Sequence, residues 1–199
     1  SGILKLLPVS LNRSRMDKET LSRFAKKVME VYPSEHYGLI LASDHGSGWQ
    51  GTCWDGTSGG SIITMPELAS ALNEITDNGT RKLSLIGFNM CMTGMMEVAY
   101  QVKSYCEYMV ASEECMLFGI WPYSGPLNDL KNNPDMTPRE LAACIVDHFE
   151  PEVGRYGLRT MLSAIGLSKM GELRIAIDWK SALLMDIDKL VIMLIFIIS

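Results

Sequence analysis

A chain of 199 residues, 47% apolar and 21% charged, is long enough for one buried core and short for two of ordinary size. Its 18 basic and 23 acidic residues leave a net charge of −5, and no Lys/Arg-rich block is present, which argues against a nucleic-acid partner. The five cysteines form no C-x-x-C pair and the three histidines stand at no zinc-finger spacing, so neither a structural zinc finger nor a dense disulfide framework is expected, and the odd count leaves at least one thiol over.

In chain order, Gly2–Val9 is the one early segment that suits a strand. Residues 17–31 (DKETLSRFAKKVMEV) place Leu21, Phe24, Val28 and Val31 three and four apart, the spacing of an amphipathic helix. Asp17 and Thr20 supply N-terminal capping chemistry, and Pro33 ends the helix. Tyr37–Ala42 is an apolar run with the length of a buried parallel strand. The glycine-rich stretch Gln50–Ser61 is expected to be a loop, with Cys53 as an exposed thiol in it.

Thr64-Met65-Pro66-Glu67 then reads as a helix start, with a capping residue, a proline and an acidic first turn. A second buried strand is expected over Lys82–Phe88. A helix carrying Met95, Met96, Val98, Ala99 and Val102 inward follows it. Further strands are expected at Tyr108–Ala111 and Thr160–Leu167. Helices are expected from Thr137 to about Phe149 and from Ser168 to about Met185.

Strand alternating with helix specifies an α/β fold, a mostly parallel sheet with helices on both faces. The expected organisation is a single domain over 1–185 and a hydrophobic tail over 186–199. The tail's run Leu190–Ile198 is too short to span a bilayer. No signal-peptide pattern is read in the chain.

Two expected strands each run into a reactive residue, His45 after the first and Cys91 after the second. In open α/β sheets functional groups collect beyond the carboxyl ends of strands. If these strands are neighbours, imidazole and thiol share a crevice, as thiol nucleophilic catalysis requires. The imidazole favours thiolate and then protonates the leaving amine. Gly46 lets the backbone N–H after His45 approach a substrate carbonyl, and the N–H of Cys91 completes a two-donor oxyanion hole.

A lone cysteine after an apolar strand is more often a core residue; the His45 segment and the glycines are what favour catalysis here. Cys106, Cys115 and Cys144 read as core or half-buried residues, Met90, Met92, Met95 and Met96 as packing, and His36 as solvated. His148 reads as a helix-end cation or C-cap. Trp49 and Trp121 are read either as walls of the cleft or as core.

The segments YGLILASDHGSGW (37–49), TSGGSIITMPEL (57–68), LIGFNMCMTGMMEVAY (85–100) and VASEE (110–114) closely resemble the clostripain family of cysteine peptidases. Residues 134–146 and 162–170 add weaker similarity. The resemblance implies a caspase-like three-layer sandwich, short here of its N-terminal strands. It implies His45 and Cys91 as a catalytic dyad acting on a peptide or protein substrate, and a secreted or cell-envelope location in a bacterium. Calcium activates some family members, although no D-x-D-x-D-G loop occurs here; no other cofactor is expected.

Two departures bear on specificity. Where relatives that cleave after Arg or Lys carry acids, this chain has Asn89 and Gly119, which removes an ion pair with a basic P1 side chain. Glu113 and Glu114 remain as substitutes, beside Trp121. The loop 50–65 holds no Lys or Arg, so a trypsin-like self-cut there is not expected. The competing expectation is a non-catalytic or truncated peptide-binding member of the same fold. Oligomeric state is not legible.

Overall fold

The computed structural model describes residues 17–43, 48–56, 59–116, 120–156 and 160–181. The strand expected at Gly2–Val9 and the tail 186–199 lie outside them. The chain divides into two compact units, Ser1–Leu167 and Ser168–Ser199.

The first unit holds a mixed sheet with strand order β1-β4-β5-β6, formed by Gly38–Ala42, Leu83–Asn89, Cys106–Ala111 and Ser163–Gly166. β1 and β5 flank β4 in parallel, and β6 runs antiparallel to β5. All seven residues of β4 are buried, so both faces of the sheet are covered at its centre. That explains why the sequence of β4 is a continuous apolar run and not an alternation.

Helix α5 (Pro138–Tyr156) covers one face. Its Ala142, Ile145 and Phe149 join Leu85 of β4, Val110 of β5 and Trp121 in one buried cluster. Helix α4 (Ser124–Asn132) lies beside α5. Helices α1 (Lys18–Val31), α2 (Met65–Ile75) and α3 (Met96–Val102) form a second layer, with Leu68, Ala71 and Leu72 of α2 fully buried.

The helix starts follow the capping chemistry of the sequence. Asp17 accepts the Thr20 N–H at 2.8 Å. Thr64 and Glu67 make a reciprocal capping box on α2, with Pro at the first turn. Thr137 and Glu140 repeat the arrangement on α5.

Several expectations are corrected. The segment expected to be a loop holds a hairpin, β2 (Gly51–Asp55) paired antiparallel with β3 (Ser61–Thr64). Its glycines concentrate the turn at Gly59 and Gly60, both at positive φ, and leave the flanks free to pair. Cys53 therefore sits in a strand and is buried, its burial pushing the thiol pKa up. Met96 starts α3 but is exposed, because only Val98, Ala99 and Val102 fall on the inner face. Helix α4 was not anticipated; Gly125 and Pro126 in its first turn mask a helical pattern. Helix α5 continues past Phe149, so His148 is not at its end.

The second unit, over its described residues, is a helix spanning 170–181, stitched by an Arg174–Asp178 pair at 2.8 Å one turn apart.

Packing at β4 should dominate stability. Phe88, fully buried, should cost about 3–5 kcal/mol when replaced by Ala. Thr64→Ala, which removes the cap of α2, should cost about 1 kcal/mol. Urea unfolding of the two variants should show this order.

Candidate active site

The register of β1 against β4 sets the site. Ala42 is level with Asn89, and the Ser43 N–H donates to the Asn89 carbonyl at 3.3 Å. The two strands therefore end together. Beyond β4 the chain turns sharply at Met90, Cys91 and Met92. Met90 is buried, and its sulfur accepts the Thr52 hydroxyl at 2.8 Å. Met92 adopts a left-handed φ of 55°, a conformation that costs a non-glycine residue about 1–2 kcal/mol. Cys53, Asp77 and Asn78 also adopt positive φ, so this conformation by itself assigns no role.

The turn is clamped from one side by the segment after β5. The Met92 N–H donates to the Glu114 carbonyl at 3.1 Å and the Gly94 N–H to the Ser112 carbonyl at 2.7 Å. The Ser112 hydroxyl in turn bridges the N–H and carbonyl of Glu114. A Cβ on Gly94 would stand 2.8 Å from the Glu113 nitrogen, so glycine is what permits this approach.

The Cys91 sulfur is half-buried. It lies 3.1 Å from the Met116 N–H, which donates to it, and 3.3 Å from the Met116 carbonyl. Exposed Cys115 is next to it, and the Cys91 sulfur is the largest influence raising the Cys115 pKa, followed by desolvation and Glu114. Nothing in the sequence signalled the Met116 contact, because it is made by the backbone.

Of the other expected site residues, His45, Gly46 and Gly119 lie outside the described residues. Asn89 is buried, and its amide nitrogen donates to the Tyr123 hydroxyl oxygen at 3.0 Å. Tyr123 is a partner that sequence reading missed. Trp121 is largely buried and packs over Gly87, where a Cβ would lie 3.1 Å from its ring, and it lines a pocket together with Ile40, Leu85, Tyr123 and Leu127. Its ring centroid stands 6.4 Å from that of Tyr123. Trp49 is exposed. Glu113 and Glu114 are both exposed, with Glu113 beside Gly94.

A second cluster joins α4 to α5. The His148 Nε2 lies 2.7 Å from Asp129 Oδ2, and the Cys144 thiol donates to that oxygen at 3.5 Å. The bond from His148 lowers the Asp129 pKa, whereas desolvation and then Asp129 itself raise that of Cys144. Desolvation and the facing carboxylate both favour the protonated form of Cys144.

The Clostripain family model matches residues 9–193. The chain belongs to the clostripain family. Among solved structures it is similar to a secreted C11 cysteine protease from Bacteroides thetaiotaomicron bound to an irreversible peptide inhibitor, with a TM-score of 0.64 and 19% identity. That alignment covers 80% of this chain and 48% of the other. It is also similar to an inactive zymogen C11 protease from Parabacteroides distasonis, with a TM-score of 0.61 and 24% identity over 85% of this chain and 44% of that one. The chain thus spans about half the length of these solved relatives. No curated protein matches it. These likenesses confirm the caspase-like three-layer arrangement expected of a clostripain-family chain. Among the described residues no helix is long and apolar enough to cross a membrane.

The environments of the cysteines divide them by access. Brief iodoacetamide treatment of the folded clostripain-family chain should label Cys91 and Cys115 well before Cys53 and Cys106. Cys106 is buried, and desolvation pushes its pKa up to about 12. Peptide mapping checks the order; early labelling of Cys106 would show that the β5 end opens in the native state.

Proposed function

We propose that this chain is a cysteine endopeptidase in which Cys91 is the nucleophile and His45 its base. The observation that carries the reading is the anchoring on either side of residues 44–47. Ser43 is bonded to the Asn89 carbonyl before the segment. Gly48 after it stands where a Cβ would lie 3.1 Å from the Met92 carbonyl. The two contacts thus flank Cys91, at Asn89 before it and Met92 after it. His45 stands between these two contacts in the sequence.

In the proposed reaction the Cys91 thiol gives its proton to His45 and the sulfur attacks the scissile carbonyl. The resulting oxyanion is held by the N–H groups of Gly46 and Cys91. His45 then protonates the leaving amine, and water hydrolyses the thioester to release the acid and restore the thiol. Membership of the clostripain family and the protease structures sharing this fold support the assignment. The secreted status of a structural relative supports an extracellular setting.

Cys91→Ala and His45→Ala should each lower peptidase activity by roughly 10²-fold or more, with the fold intact by circular dichroism. Undiminished turnover by folded Cys91→Ala would overturn the assignment. No turnover by the unmodified folded chain, with peptide binding retained, would favour the second reading, a peptide-binding member of the same fold.

Asn89 and Tyr123 bear on substrate choice. A pocket base made of an amide and a phenol offers no charge to a guanidinium, whose desolvation then goes uncompensated. We expect only weak preference for Arg or Lys at P1. Asn89→Asp would let the Tyr123 hydroxyl donate where its oxygen now accepts. This variant should raise activity on Arg substrates relative to neutral ones. A positional-scanning library measures both; strong Arg or Lys preference in the unmodified chain would mean that Glu113, Glu114 or another acid supplies the charge.

A further inference from the structure

We propose that Asp129, Cys144 and His148 form a binding site for a zinc-class divalent cation that ties α4 to α5. Cys144 and His148 are four residues apart on α5, which puts both side chains on one face of the helix, one turn apart. Asp129 reaches them from α4. Their three donor atoms, a thiol sulfur, an imidazole nitrogen and a carboxylate oxygen, all lie within 4.8 Å of one another.

That spacing suits a shared ion. Metal bonds of about 2.0–2.3 Å at tetrahedral angles place neighbouring ligand atoms roughly 3.3–3.6 Å apart. The Cys144–Asp129 separation is 3.5 Å and the His148–Asp129 separation 2.7 Å. With the Cys144–His148 separation within 4.8 Å, rotamer adjustments of about an ångström in half-buried side chains would close the set, leaving a fourth position for water.

The imidazole is already oriented. Its Nδ1 edge packs against Gly125, one helical turn before Asp129, where a Cβ would stand 2.4 Å from Nδ1. The absence of a side chain at Gly125 lets the ring approach α4 closely, with Nε2 bonded to Asp129. A helix-borne pair with one preset ring and a carboxylate from the next helix is a donor set for zinc or cobalt. It does not suit calcium, which takes six to eight oxygen ligands. The site is separate from Cys91 and uses none of the residues proposed for catalysis. An ion there would cross-link α4, which begins directly after Tyr123, to the helix that covers the sheet.

The test uses the chain with Cys91→Ala, so that thiolate at the proposed active site contributes no signal. Titration with Co²⁺ should produce a near-ultraviolet sulfur-to-metal charge-transfer band together with visible absorption of tetrahedral intensity. Zn²⁺ should abolish both by competition. Zn²⁺ at a hundred-fold excess over its Kd should raise the Tm by about 5 °C. Cys144→Ser should remove the charge-transfer band, and Asp129→Asn, which keeps the shape of the side chain, should weaken binding at least ten-fold. Cys115→Ser should leave all signals unchanged. A band that survives Cys144→Ser, or Co²⁺ and Zn²⁺ that give neither a band nor a Tm shift, would overturn the proposal.

Discussion

The parallel register of β1 on β4 is the constraint from which the candidate site follows. Pairing of Gly38 with Leu85 through to Ala42 with Asn89 makes the two strands end on the same line. A slip of one residue would turn every side chain of β1 to the opposite face. That would put Leu41, now buried, on the side of Ile40, which is 37% exposed. Burial therefore fixes the register, and the register fixes where the residues following each strand emerge. The meeting of these segments beyond the carboxyl ends is a by-product of satisfying the core.

Around that line, two glycines allow other segments to close in. Gly87 admits the Trp121 ring against β4, and Gly94 admits the backbone of Ser112 and Glu113 against the turn after Cys91. Through these contacts the ends of β4 and β5 and the segment entering α4 meet in one place. The hydrogen bonds from Met92 and Gly94 to Glu114 and Ser112 then hold the turn in a conformation that includes the left-handed Met92. Such strain persists because several independent bonds over-determine it.

The five cysteines show how one residue type is given different chemistry by its surroundings. Cys53 and Cys106 are buried in strands, where desolvation keeps them neutral. Cys91 and Cys115 sit together at the mouth of the sheet, and Cys144 faces a carboxylate and an imidazole between two helices. Packing, more than sequence position, separates a core thiol from one at the end of a strand and from one held between two helices.

What the sequence determined by itself was whatever rests on local pattern. The apolar runs of β1, β4 and β5, the caps at Asp17, Thr64 and Thr137, and the placement of a histidine and a cysteine just past two strands are written in neighbouring residues. The family segments around His45 and Cys91 carried the resemblance for the same reason. The hairpin β2–β3 was hidden because glycine lowers strand propensity, although here it serves the turn. Helix α4 was hidden by Gly125 and Pro126 in its first turn. Only the tertiary structure decided that Asn89 is bonded to Tyr123, that the Cys91 sulfur rests on the Met116 backbone, and that Asp129 meets Cys144 and His148. Each of these joins residues 15 to 34 positions apart, or uses backbone atoms that every residue shares. A contact of that kind has no local signature; it exists because the strands and helices that carry the partners are packed against one another by the core.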